Sequence, residues 1–161
     1  KDIGDRTVGT VGQLSLSPNA PNVIPGHAYL SIDVRSTKEE NMKEAYARLV
    51  KEVEVIKEKA DVEIMISNGL YIPPVNMSEA HIRLMESVCQ RLGYSSLRMN
   101  SGAGHDAMAM AKVAPTSLVF VPSKDGLSHH PDEWTDYEDL EKGIELMLHT
   151  VLELSSDLAG R

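Results

Sequence analysis

The chain has 161 residues, of which 42% are hydrophobic and 25% charged. This mix is typical of one ordinary globular domain or two small units and excludes a wholly disordered chain. The 16 Lys and Arg against 24 Asp and Glu give a formal net charge of −8, which argues against nucleic-acid binding. The single cysteine excludes an internal disulfide, and no apolar run reaches the length of a membrane span.

The first part of the chain predicts a β-hairpin followed by a helix and a third strand. Residues 7–16 and 27–35 alternate with the two-residue period of strands and can pair antiparallel across a loop rich in Pro and Asn. Strict alternation predicts that one face of the first strand carries Thr10, Gly12, Leu14 and Leu16.

The next elements are a helix that Ser36 or Thr37 can cap and that runs to about Ala60, and a strand over 61–67. This β-β-α-β unit is the second half of a β-α-β-β-α-β arrangement whose first β-α is missing.

A change of rhythm at 68–74, where Asn-Gly is followed by Pro-Pro, predicts a boundary. The elements predicted after it are a helix at 79–92, a strand at 96–100, a short helix at 107–112, a strand at 116–121 buried on both faces, and a helix at 137–155. The last helix is predicted to bury Leu140, Ile144, Met147 and Val151. This order indicates an α/β layout with a parallel sheet.

Three segments concentrate residues that folding alone does not explain, and each allows two interpretations. Arg35 forms either a surface ion pair with Asp33 or a bidentate clamp for a substrate carboxylate. The small-residue loop at 101–106 either brings backbone N–H groups to a carboxylate or simply caps the following helix. His129, in the polar loop after 116–121, is either a metal ligand or a surface residue.

Several motifs, taken together, resemble those of a known family. They are PNAPNVIPG at 18–26, SIDVR at 31–35, SGAGHDA at 101–107, FVPS at 120–123, and GLSH at 126–129 with Glu133. In this order they resemble the amidase/hydantoinase/carbamoylase branch of the M20 metallopeptidase-like family. That branch includes N-carbamoyl-L-amino acid hydrolases, allantoate amidohydrolases and β-ureidopropionases.

The resemblance implies a fold of the α/β class with an α+β lid part. Residues 1–70 are expected to form the second half of a β-α-β-β-α-β lid and dimerisation domain. Residues 71–161 are expected to form the C-terminal part of an α/β metallohydrolase catalytic domain. It also implies that His129 is a metal ligand, that Asn22 and Arg35 hold the substrate, in the family often across the dimer, and that the substrate carboxylate meets Gly102, Ala103, Gly104 and His105.

The resemblance further implies two divalent metal ions, zinc, manganese or nickel, in a cytoplasmic homodimer that acts on a small carboxylate substrate. The family's general base and its other metal ligands are expected upstream of Lys1, so no catalytic residue is assigned within this chain. We therefore expect a C-terminal fragment, inactive alone, whose partner is the missing N-terminal portion of the same protein. The full protein is expected to hydrolyse a carbamoyl or ureido C–N bond. The alternatives are an M20-type peptidase or aminoacylase, and a non-catalytic dimerisation or binding remnant.

Overall fold

The structure is a computed structural model that describes residues 3, 4 and 6–159. The chain divides after Pro74 into two compact units. The sequence predicts that a longer chain precedes Lys1. Lys1 itself lies outside the described residues. None of the helices in the described part is both long and apolar enough to cross a membrane.

The first unit contains a two-stranded antiparallel sheet. Strand β1 (Val8–Ser17) pairs with strand β2 (His27–Arg35) along its whole length. The N–H of Gly26 donates to the carbonyl of Ser17 at 2.9 Å and closes the connecting loop. The predicted hairpin is therefore confirmed.

A β-bulge in β1 changes which residues share a face. The regular pairing is interrupted between Val11 and Gln13, so one extra residue, Gly12, stands in β1. Residues directly opposite each other in a sheet point to the same side. One face is therefore apolar and contains the cross-strand pairs Val11 with Ile32, Leu14 with Leu30 and Leu16 with Ala28.

The other face is polar and includes Thr10 opposite Asp33. The predicted face of Thr10, Gly12, Leu14 and Leu16 is thus wrong, because strict alternation does not survive the bulge. The apolar face is largely open: Leu14 is 64% exposed and Leu30 51%.

Helix α1 (Glu39–Ala60) follows the sheet and confirms the predicted helix. Its N-cap residue is Lys38, without a side-chain capping bond, and not Ser36 or Thr37. The hydroxyl of Ser36 lies 3.0 Å from that of Thr7 and accepts a hydrogen bond from Asn41 Nδ2 at 3.3 Å. Ser36 therefore ties the sheet to the helix instead of capping it.

The strand predicted over 61–67 does not form. These residues make no ladder with β1 or β2, and a strand exists only as part of a ladder. Its apolar side chains stay partly in solvent, with Val62 46% and Ile66 39% exposed.

The second unit begins with helix α2 (Glu79–Leu92), whose bounds match the prediction. The Ser78 hydroxyl accepts a hydrogen bond from the N–H of His81 at 3.3 Å and caps its start. Gly93 ends it in the left-handed region at φ 74°, where glycine has no steric penalty. The predicted helix at 79–92 is therefore confirmed, whereas the Ser78 cap was not predicted.

The buried core of this unit lies between α2 and helix α4 (Tyr137–Ala159). It consists of Met85, Val88 and Cys89 on α2 and Thr150 on α4. Burial raises the pKa of the Cys89 thiol, as expected for an inert cysteine.

The predicted buried face of α4 is wrong. Leu140, Ile144, Met147 and Val151 are all exposed, Ile144 to 70%. The helix instead turns Gly143 towards residue 121: a Cβ on Gly143 would come within 2.7 Å of Val121 Cγ1. Because α4 carries apolar residues on more than one side, periodicity alone selected the wrong stripe.

The two strands predicted in this unit, at 96–100 and 116–121, are also absent from the described residues, whose regular elements here are all helices. Residues 116–121 are not buried on both faces, since Phe120 is 48% exposed. One backbone hydrogen bond, from Ser78 N–H to the Thr116 carbonyl at 2.7 Å, ties this segment to the start of α2. The mixed α/β class is confirmed, whereas the described part of this unit contains no parallel sheet.

Candidate functional site

Arg35 stands at the end of β2 in a two-point ion pair. Its Nε donates to Asp33 Oδ1 at 2.8 Å and its Nη2 to Asp33 Oδ2 at 3.1 Å. Both side chains are about half exposed, at 55% and 54%. The hydrogen bond from Arg35 holds the pKa of the Asp33 carboxyl below its ordinary value. The ion pair expected from spacing is present, and it gives the guanidinium one defined orientation.

Asn22 is exposed in the loop that precedes β2. The nine residues of β2 separate the His27 end of this strand from Arg35 by about 26 Å. No hydrogen bond joins the side chains of Asn22 and Arg35. The structure therefore does not bring these two predicted substrate-binding residues together within the first unit.

The loop before the short helix α3 (Asp106–Met110) is organised around a serine hydroxyl. Ser101 Oγ accepts a hydrogen bond from the Ala103 N–H at 3.1 Å and lies 2.7 Å from His105 Nε2. The His105 ring packs edge-on against Phe120, with ring centroids 5.6 Å apart. The loop thus has a fixed conformation, and the amide of Ala103 is already engaged within it.

This geometry contradicts the interpretation that the Asp106 side chain caps the following helix. The N-cap residue of α3 is His105 and makes no side-chain capping bond, so capping by Asp106 is not what holds the turn. Gly102 and Gly104 are exposed, and a Cβ on either would meet no atom within 4 Å, so space alone does not require glycine there. The organising role of Ser101 was missed, although its spacing two residues before an amide is typical of a serine turn.

His129 adopts an unusual backbone conformation in the loop before α4. Its φ is 57°, in the left-handed region that non-glycine residues seldom enter. The His129 N–H donates to Glu133 Oε2 at 2.7 Å, and the Glu133 N–H donates to the His130 carbonyl at 3.0 Å. Glu133 therefore holds the backbone of His129. The His129 side chain is exposed.

The neighbouring His130 has a different role. Its Nδ1 accepts a hydrogen bond from the Asp132 N–H at 3.2 Å, so this ring is engaged within the turn. Of the two adjacent histidines, His129 is the one whose ring forms no hydrogen bond within the described part of the chain. This distinction agrees with the motif-based choice of His129.

Arg98 fastens the segment that leads into the Ser101 loop. Its guanidinium donates to both oxygens of Glu86, at 2.6 and 2.7 Å, and to those of Glu79, at 3.0 and 3.1 Å. The hydrogen bond from Arg98 holds the pKa of the Glu86 carboxyl below its ordinary value. This anchor was not predicted, because nothing in the local sequence pattern links residue 98 to helix α2.

The described residues do not by themselves fit a metal site. No three His, Cys, Asp or Glu side chains among them come close enough together to hold an ion, whereas a protein metal centre of this kind needs three or more protein ligands. His129 can therefore serve only as one donor among others that the described residues do not supply.

Comparison with known proteins identifies the family. The model of Peptidase family M20/M25/M40 matches residues 3–153, and the chain belongs to this family. The family resemblance carried by the motifs is thereby confirmed.

Individual relatives show which members of this family the chain is similar to. The chain is 35% identical over 153 residues to an N-carbamoyl-L-amino-acid amidohydrolase of Paenarthrobacter aurescens, covering 95% of this chain and 37% of that protein. It is 32% identical over 155 residues to the allantoate amidohydrolase of Escherichia coli strain K12, covering 96% and 38%. The crystal structure of an amidase of the hydantoinase/carbamoylase family from Burkholderia multivorans matches with a TM-score of 0.84 and 35% identity, covering 93% and 36%. The chain thus spans little more than a third of the length of these relatives.

Proposed function

We propose that the complete protein containing this chain is a dinuclear-metal amidohydrolase that cleaves a carbamoyl or ureido C–N bond. The observation that carries the proposal is the similarity, over more than nine-tenths of the chain, to proteins named N-carbamoyl-L-amino-acid amidohydrolase and allantoate amidohydrolase. Amidohydrolases of this family are generally dependent on divalent metal ions. We propose zinc, manganese or nickel and a cytoplasmic location.

The two units would have separate tasks. Residues 1–70 would form half of a lid and dimerisation domain, and residues 71–161 the C-terminal part of the catalytic domain. His129 would supply one metal ligand, with its turn fixed by Glu133. Metal content of the complete protein, compared between the wild type and His129→Ala, tests this role; an unchanged metal-to-protein ratio would exclude it.

Substrate recognition would come from Arg35, Asn22 and the loop of Gly102, Ala103, Gly104 and His105. The planar guanidinium of Arg35 suits a carboxylate, which would favour anionic over neutral substrates. The loop already has one conformation, set by Ser101, so little ordering would be needed when a substrate binds.

The length of β2 supports a homodimer. A separation of about 26 Å along a strand exceeds the span of a small carboxylate substrate. If Asn22 and Arg35 act on one substrate molecule, one copy of the chain would supply Asn22 and the other Arg35.

The reaction would add water across the C–N bond. An N-carbamoyl amino acid would give the free amino acid, ammonia and carbon dioxide. Among the described residues we assign no general base, and no cluster of side chains could hold a metal ion. We therefore propose that the chain alone is inactive.

A substrate panel tests the proposal. The complete protein is supplied with N-carbamoyl-L-amino acids, allantoate, N-acetyl amino acids and dipeptides, and ammonia and free amine are measured. Ammonia release from a carbamoyl or ureido substrate is expected. Cleavage confined to dipeptides or N-acetyl amino acids would instead assign a peptidase or aminoacylase, and no hydrolysis at all would leave a binding role.

A further inference from the structure

The side chain of Asp33 has a position in the sheet that defines its effect on Arg35. The two residues are two positions apart on β2, so both side chains leave the same face of the strand. Thr10 and Val8 stand opposite them on β1, so the backbone under both residues is held by the ladder. The short Asp33 side chain, whose backbone is held in the ladder, thus positions the longer side chain of Arg35.

The two hydrogen bonds between them restrict the guanidinium in two ways. A single contact would fix the distance and leave the planar group free to rotate. Contacts of 2.8 and 3.1 Å to the two oxygens of one carboxylate also fix its plane. Rotamer freedom that a substrate would otherwise remove from Arg35 is already removed before binding.

The charge of Asp33 has the opposite effect on an anionic ligand. A carboxylate beside Arg35 offsets its positive charge and repels a substrate carboxylate. Electrostatics alone would therefore make Asp33 unfavourable at an anion-binding site, whereas alignment of Arg35 would make it favourable. The two effects predict opposite signs when the charge is removed.

We propose that Asp33 is a positioning residue that aligns the guanidinium of Arg35 for a substrate carboxylate, and that alignment outweighs charge repulsion. This inference rests on the proposed function, since it assumes that Arg35 binds the carboxylate. It adds a specificity element that the motif alone does not assign.

The test is Asp33→Asn in the complete protein, because asparagine keeps the shape and removes the charge and one strong acceptor. We expect KM for an N-carbamoyl-L-amino acid to rise about tenfold while kcat stays within about twofold. The same variant should leave KM for the corresponding amide, which lacks the carboxylate, unchanged.

The matched control is Glu44→Gln. Glu44 is an exposed carboxylate paired with Arg48 on α1 in the same unit. Its loss should change neither kcat nor KM, which separates the effect of Asp33 from the general loss of a surface charge.

Two results would overturn the proposal. An unchanged or lower KM for the carboxylate substrate would show that alignment does not outweigh repulsion. Equal losses on the acid and its amide would show that Asp33 only supports the fold. If Arg35→Lys also leaves the KM for the acid unchanged, the assigned role of Arg35 in the proposed function fails as well, so the two failures can be told apart.

Discussion

The two units of the chain are built by opposite means. The first has a fully paired hairpin, yet none of its described residues is buried. The second has a buried core between α2 and α4, yet no strand among its described residues. Strands β1 and β2 are separated by a nine-residue loop and pair locally, whereas the segments at 96–100 and 116–121 pair with no strand among the described residues. Local pairing and local helix formation thus account for every regular element observed.

The largest expected effect on stability concerns the core of the second unit. Val88 is 1% exposed, and Val88→Ala removes two methyl groups from the contact between α2 and α4. We expect a loss of about 2 kcal/mol in the free energy of unfolding of that unit. Denaturant titration followed by the fluorescence of Trp134, the only tryptophan, measures it.

The matched control lies in the first unit. Val11 is 57% exposed, so Val11→Ala should cost about 0.5 kcal/mol or less. Equal losses for the two variants would contradict the contrast between a buried helical core and an open sheet.

A smaller effect is expected at the bulge of β1. Deletion of Gly12 places Val11 next to Gln13, whose partners on β2 are already adjacent, so the ladder becomes regular with every pair kept. Deletion of Ser15 would instead shift Leu16 onto the polar face. We expect the second deletion to destabilise the hairpin by about 1 kcal/mol more than the first.

Cross-strand NOEs between Leu14 and Leu30 provide the structural check. They should persist after deletion of Gly12. Loss of these contacts in that variant, with retention after deletion of Ser15, would show that the bulge is not the feature that sets the two faces.

The sequence predicted elements best where the signal was local. Helix α2 was predicted with its bounds, because its apolar residues follow the helical period and Gly93 marks its end. The face of β1 was predicted wrongly, because a single extra residue reverses strict alternation. The buried side of α4 was predicted wrongly as well, because packing on Gly143 and not periodicity selects it.

The candidate site shows the same division. Arg35, His105 and His129 were predicted as site residues from short motifs, and these roles stay predictions. The groups that hold the two histidines were missed as such: Ser101 fixes His105, and Glu133 fixes the backbone of His129. Side-chain orientation decides these contacts, and spacing alone does not supply it.

We propose that this chain contributes a carboxylate-binding arginine, Arg35, to an amidohydrolase. Arg35 is exposed and lies in the unit without a buried core, so its replacement tests chemistry more than folding. The most direct measurement is kcat/KM of the complete protein for an N-carbamoyl-L-amino acid, compared between the wild type, Arg35→Lys and the control Arg48→Lys. We predict a loss of about 100-fold for Arg35→Lys, because lysine lacks the planar two-point donor, and a near-normal value for Arg48→Lys. A kcat/KM for Arg35→Lys within about twofold of the wild type would contradict the account.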